Sequence, residues 1–238
     1  FDGRALSESP SLMARICGIC PVSHLVASAK ACDALMSVRI PKTAAKLRYI
    51  LHLGQMIQSH ALSFFHLSSP DLLLGMDSDP ALRNIVGVIQ AHPELAKEGI
   101  ALRKFGQQVI EWLAMERIHP QWIVPGGVNR PLASEDRDRI LSEIPAARDI
   151  TLRTLGLLKS ILDQFEDEAE HFGNFPSLYL GITDAGGDLD FYDGNLRVMD
   201  ADGSIIQDGV APDKYSDVIG EAVEPWSYLK MPYYKPMG

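Results

Sequence analysis

From Pro21 to Met36 the apolar residues Val22, Leu25, Val26, Ala29, Cys32 and Met36 fall on one stripe at helical spacing, and Pro21 stands where a first helical position tolerates a missing N–H. The spacing predicts a helix that begins directly after Cys20. A second pattern opens at Pro41 and keeps an apolar face through Leu47, Ile50, Leu51, Gly54, Ile57, Ala61, Phe64 and Phe65 up to Pro70, a core helix of about six or seven turns. Helices are also predicted from Pro80 to Ala91 and from Pro93 to Arg117, before a breaker-rich loop from Pro120 to Pro131. Ser134 is the expected N-cap of the next helix, in which Leu152, Leu155, Leu158, Ile161, Leu162 and Phe165 carry helical spacing to about Phe172. Glu166, Asp167, Glu168 and Glu170 read as its solvated faces.

After Gly173 the texture changes to short alternating runs, Leu189 with Phe191 and then Leu196 with Val198, punctuated by Asp193-Gly194, Asp202-Gly203 and Asp208-Gly209. Such punctuation predicts antiparallel hairpins. The expected fold class is therefore mainly α, a long-helix bundle core with a smaller β-hairpin-rich segment after about residue 173. Residues 1–172 form the helical body, and 173–238 a β-rich segment of the same domain.

Composition narrows the function classes. The 238 residues include 46% hydrophobic side chains, enough for a substantial core, and carry a net charge of −9 with dispersed Lys and Arg, which excludes a nucleic-acid binder. No stretch has the roughly 18 uninterrupted apolar residues of a membrane span. Three cysteines are too few for a disulfide scaffold and point to a reducing, cytoplasmic setting in which thiol chemistry is available. The opening Phe1-Asp2-Gly3-Arg4 and the closing run from Lys230 to Gly238 both read as internal, so a fragment is expected.

The densest chemistry lies between Arg15 and His24: Arg15-Ile16-Cys17-Gly18-Ile19-Cys20-Pro21-Val22-Ser23-His24. Two thiols three positions apart can converge on one soft ion, and a helix N-terminus with the nearby cation Arg15 favours their thiolates. His24, one turn after Cys20, can ligate or hydrogen-bond a thiolate. On these residues alone, half of a zinc site, a redox pair and plain core cysteines all remain open. Zinc lacks a second ligand pair, a thioredoxin-like motif lacks its βαβ context, and Cys32 sits on an apolar stripe that reads as core.

The decapeptide resembles the R-x-C-G-x-C-x-x-x-H motif of nickel-iron hydrogenase large subunits, with every fixed position filled. Two further blocks resemble the same family in order and spacing. One runs from Gly54 to Leu67 and includes Ser59, His60, Phe64, Phe65 and His66; the other is the loop from His119-Pro120 to Gly126-Gly127-Val128. The wording around them is most similar to the soluble NAD-reducing subgroup. The resemblance implies that Cys17 is a terminal nickel ligand and Cys20 bridges nickel and iron, the iron also holding carbon monoxide and cyanide. It further implies that His24 hydrogen-bonds the bridging thiolate, that Arg15 belongs to the catalytic surroundings, and that Ser59 and His60 adjoin the cofactor. Magnesium is a further candidate ion. Electrons from reversible H2 oxidation would leave through a small iron-sulfur subunit to diaphorase subunits that handle NAD.

Two departures qualify this expectation. Ser59 stands where membrane-bound relatives place an aspartate, and a hydroxyl cannot serve as a carboxylate proton acceptor. The family's centre takes four thiolates, whereas no cysteine follows Cys32. A metal-free structural or assembly piece, and a metal-free relative of respiratory complex I subunits, are the alternatives; retention of both Cys17 and Cys20 speaks against the second. His60 and His66, six apart, cannot share one metal on a helix. Asp200-Ala201-Asp202-Gly203 is expected to be a hairpin turn and not a calcium loop, and Asp71 a helix or turn cap.

Overall fold

The computed structural model describes all residues, Phe1–Gly238. The chain divides into two compact units, Phe1–Gln164 and Phe165–Gly238. The first is helical: α1 (Ser9–Ala14), α2 (Pro21–Leu35), α3 (Lys42–Leu62), a π-helical turn (Ser63–Ser68), α4 (Ser69–Leu74), α5 (Ile85–Ala91), α6 (Pro93–Ala114), the two-residue strands β1 (Ile123–Val124) and β2 (Gly127–Val128), and α7 (Ser134–Ile161). The second holds α8 (Glu166–His171), β3 (Tyr179–Thr183), β4 (Asn195–Met199), β5 (Ile205–Val210), α9 (Tyr215–Val218), β6 (Ile219–Val223) and β7 (Lys230–Tyr234). The fold is mainly α with small antiparallel sheets. No helix is long and apolar enough to cross a membrane.

The core of the helical unit is the α3–α6 pair. Their backbones approach closely because both carry glycine at the crossing. A Cβ added at Gly106 would lie 2.6 Å from the Gly54 carbonyl oxygen and the Gln58 nitrogen, and one at Gly54 would meet Val109 at 2.9 Å. Leu102, Phe105, Val109, Ile110 and Leu113 of α6 fill the remaining contact with the regular i, i+3, i+4 spacing of a buried helical face. α2 lies on another side of α3 and buries Val22, Leu25, Val26, Ala29 and Cys32; Met36, past the helix end, is 42% exposed instead of completing the stripe.

A buried ion pair ties α2, α3 and the β1–β2 hairpin. Arg48 is wholly buried and donates through Nη1 to Asp33 Oδ2 (2.6 Å), through Nε to the Gly127 carbonyl (3.0 Å) and through Nη2 to the Val124 carbonyl (2.7 Å). The second Asp33 oxygen accepts the Gly126 N–H at 2.7 Å. The hairpin turns at Pro125-Gly126, and Gly126 takes φ +91°, a conformation glycine adopts without steric cost.

Several element boundaries differ from those expected. The helix does not stop at Pro70: the chain widens into the π-helical turn and resumes as α4, whose first turn tolerates the proline because no N–H is needed there. Residues from Pro80 do not begin a helix; α5 starts at Ile85, where Asn84 Oδ1 accepts the N–H groups of Val86 and Gly87. α6 ends at Ala114 because Met115 turns left-handed. Ala133, not Ser134, is the N-cap of α7. Leu152, Leu155 and Leu162 are about half exposed, since α7 buries only Ile140 and Ala147. Asp71 pairs with Arg83 at 3.4 Å from the first turn of α4.

In the second unit β3, β4 and β5 form an antiparallel sheet in that order, with Leu196 and Val198 buried on one face. Asp202-Gly203 turns the β4–β5 hairpin, where Asp200 Oδ1 accepts the N–H groups of Asp202 and Ser204. Asp208-Gly209 is not a turn. It lies within β5 as a bulge, with Gly209 at φ +69°, between the pairs Leu196–Val210 and Val198–Gln207. Asp193-Gly194 is not a two-residue turn but the end of the long loop of residues 184–194 that joins the antiparallel strands β3 and β4.

Replacing Arg48 with methionine leaves the Asp33 carboxylate buried with one N–H donor and strips two carbonyls of theirs. Arg48→Met is expected to destabilise the chain by about 3–5 kcal/mol in urea unfolding. Arg48→Lys should recover little of this, because an ammonium cannot span the three acceptors of the guanidinium fork. A loss below about 1 kcal/mol in Arg48→Met would contradict this role.

Candidate metal centre

α1 ends at Arg15, whose guanidinium donates back to the Ser11 carbonyl (3.0 Å) and is exposed. The following loop is held from outside the helix by His119, whose Nδ1–H donates to the Ala14 carbonyl at 2.8 Å. From Cys17 to Cys20 the chain folds back on itself. The Cys20 N–H reaches Cys17 Sγ at 3.1 Å and the Cys20 thiol donates to the same sulfur at 2.7 Å. Both cysteines are free and half-buried.

α2 then begins at Pro21 as expected, with Cys20 as N-cap residue. One turn into it, His24 brings a ring nitrogen into the cluster. The ligand atoms of Cys17, Cys20 and His24 all lie within 4.8 Å of one another. The shared hydrogen bond splits the two thiols. The donation from Cys20, helped by the N–H groups of Cys20 and Ile19, holds the Cys17 thiol below the ordinary value. The same bond pushes Cys20 upward, and desolvation and the charge of Cys17 act in the same direction.

The start of α2 is closed by a residue from α3. Gln55, 2% exposed, accepts the N–H groups of Val22 (2.7 Å) and Ser23 (3.2 Å) on Oε1 and donates through Nε2 to the Ser23 hydroxyl. Ser59 lies one turn further along α3, half-buried, and its carbonyl accepts the Ser63 N–H at the helix end. His60 is exposed and donates from Nδ1 to the Met56 carbonyl at 2.8 Å; it does not join the thiols. His66 is also exposed, beside Phe65 and Arg103 in an apolar groove of about 370 Å³. The third thiol, Cys32, is buried with its sulfur 3.7 Å from the Leu6 carbonyl.

Sequence reasoning finds the thiols and His24 but assigns no role to Gln55, Arg48 or Asp33. Arg48 and Gln55 lie seven residues apart, two turns along α3, so that one helical face carries both. Polar residues repeating at that interval within an otherwise apolar pattern were the available signal.

The family described as nickel-dependent hydrogenase matches residues 1–81, which include the whole thiol cluster. Over its full length the chain superposes on the crystal structure of an NAD+-reducing NiFe hydrogenase in the H2-reduced state with a TM-score of 0.95 at 44% identity, covering 99% of this chain and 52% of that one. The chain belongs to the nickel-dependent hydrogenase family. Among its hydrogenase relatives, one subunit of the F420-non-reducing hydrogenase vhu of Methanocaldococcus jannaschii is 43% identical over 236 residues, covering 99% of this chain and 56% of the relative. The beta subunit of the NAD-reducing hydrogenase HoxS of Cupriavidus necator is 37% identical over 249 residues, covering 100% and 51% respectively. This hydrogenase chain thus spans about half the length of the relatives it matches.

The inequality of the thiols has a measurable consequence. Because Cys17 is held low and Cys20 raised, rising pH deprotonates Cys17 first. In metal-free protein, alkylation of Cys17 is expected to set in at lower pH than that of Cys20, read by mass spectrometry. Cys17→Ala removes the bond that raises Cys20, so the Cys20 profile should move to lower pH; an unmoved profile would show that the two sulfurs do not interact.

Proposed function

We propose that this chain is part of the catalytic subunit of a nickel-iron hydrogenase, which oxidises H2 reversibly to protons and electrons and passes the electrons through an iron-sulfur partner subunit to NAD. The observation that carries this reading is the convergence of Cys17, Cys20 and His24 at the start of α2. The donor set fits the group. Two soft sulfurs suit nickel and low-valent iron, and carbon monoxide and cyanide on iron leave little need for further protein ligands there. With Cys32 buried against Leu6, the chain offers two of the four thiolates such a centre takes.

When bound, the centre supplies the site of heterolytic H2 cleavage. Cys17 and Cys20 would hold it through thiolates, and His24, whose ring nitrogen lies in the same cluster, would steady the Cys20 sulfur by a hydrogen bond. The proton released there would go to a cysteine thiolate or a nearby base. Ser59 does not take the proton, since its hydroxyl is no base at neutral pH. Arg15, exposed beside the loop, adds positive charge near the thiolates.

The acceptor has a second reading. Identity of 43% to an F420-non-reducing hydrogenase is as strong a likeness as that to the NAD-reducing structure, and that relative's name does not include NAD, so the second reading leaves NAD out as the acceptor. In the assembled complex, Cys17→Ala and Cys20→Ala should each abolish nickel binding and H2-dependent dye reduction. Unchanged turnover would refute the assignment, and a wild-type complex without nickel would make this a metal-free structural subunit. H2-dependent NAD reduction at a rate matching dye reduction selects the NAD reading; dye reduction alone selects the other.

A further inference from the structure

We infer that Gln55 is the positioning residue of the thiol pair. A helix start leaves N–H groups that the helix cannot satisfy, and they are usually capped by the residue just before it. Here that residue is Cys20, whose side chain makes no capping bond and is turned to Cys17 instead. Pro21 has no N–H. The Val22 and Ser23 donors are left, and both reach one oxygen of Gln55, more than thirty residues away on α3. The Ser23 N–H is shared with the Cys20 carbonyl at 3.2 Å, which draws the backbone of Cys20 itself into the cap.

The amide orientation is fixed at its other end by the Ser23 hydroxyl. Since Gln55 is 2% exposed, water has little room to take over its bonds. The cap comes from a different helix, so it sets the placement of Cys20 relative to α3 and not only the stability of α2. It also releases Cys20 from capping duty: the thiol and the N–H are both free to meet Cys17 Sγ. What the cap requires of residue 55 is one acceptor oxygen placed at this reach. Groups that orient metal ligands in this way typically change metal affinity 10–100-fold when lost.

The metal readout of this inference rests on the hydrogenase reading, so the experiment separates the two. In the assembled complex, Gln55→Met keeps side-chain length and removes the acceptor, Gln55→Glu keeps an acceptor oxygen, and Ser28→Ala removes a hydroxyl contact to Ser9 elsewhere on α2. Nickel loss to a chelator is expected to be about 10- to 100-fold faster in Gln55→Met, with displaced nickel EPR g-values. Gln55→Glu should recover most of the retention, and Ser28→Ala should match wild type.

Wild-type retention and spectrum in Gln55→Met, or an equal change in Ser28→Ala, overturns the inference. If Gln55→Met does not assemble, Gln55→Asn, one methylene too short to reach both donors, is judged by the same criteria. A wild-type complex without nickel overturns the functional reading alone. Gln55 is then judged by the rate at which iodoacetamide labels Cys20 at fixed pH in the metal-free complex, which should be several-fold faster in Gln55→Met and restored in Gln55→Glu; equal rates overturn it.

Discussion

The Arg48–Asp33 pair is the constraint on which the helical unit depends. A buried ion pair is not stabilising by itself, because desolvation of two charges offsets most of their attraction unless every donor and acceptor is used. Here the guanidinium serves Asp33 and two carbonyls, and the carboxylate serves the guanidinium and a backbone N–H. Those carbonyls and that N–H belong to the β1–β2 hairpin, which is too short to hold itself together. One charge pair therefore joins two helices and a hairpin separated by up to 93 residues in sequence. Specificity is the natural return on such an arrangement, because an out-of-register α2 would strand both charges.

α3 transmits this constraint to the thiols. Its polar positions facing α2 are Arg48 at one end and Gln55 two turns on, so α2 is held near its C-terminus by an ion pair and at its N-terminus by a neutral amide. The difference in charge suits the two places. Full charge is tolerated where no ligand is proposed, and none is introduced beside the sulfurs. Between them His52 is buried, and burial together with the charge of Lys30 pushes its pKa down, which favours the neutral imidazole there. Gly54 meanwhile lets α6 approach from another side. A helix with three such demands has little freedom to rotate or slide, and the cysteine loop inherits that rigidity through Val22 and Ser23.

How much of this was legible follows from the range of each interaction. The start of α2 was readable because Pro21 and the stripe behind it are local, and the thiols with His24 were readable because all three fall within eight residues. Pro70 and Pro80 misled: a proline marks a place where a helix is disfavoured, but a π-helical turn can pass it, and the residues after a proline need not coil until a cap such as Asn84 arrives. Asp208-Gly209 carried the same letters as the true turn at Asp202-Gly203, and only strand pairing distinguishes a bulge from a turn. The roles of Arg48, Asp33 and Gln55 stayed hidden because their partners are 15 to 93 residues away.

The third cysteine shows why counting thiols is not the same as counting ligands. Cys32 lies about three turns into the helix that follows Cys20, yet it is buried beside the Leu6 carbonyl and takes no part in the cluster. What separates the thiols is backbone placement. Cys17 and Cys20 precede the helix, where the chain can fold back and bring two sulfurs to 2.7 Å, whereas a residue inside the helix has its direction set by the packing of that face. Two thiols so close repel one another once ionised, and the pair relieves this by sharing a proton in the absence of a cation. The backbone that carries both sulfurs is held by the loop, by the bond of His119 to the end of α1 and by Gln55 at the start of α2, and on the hydrogenase reading a soft cation would take the place of that proton. On the hydrogenase reading the fold thus holds half of a coordination shell in place.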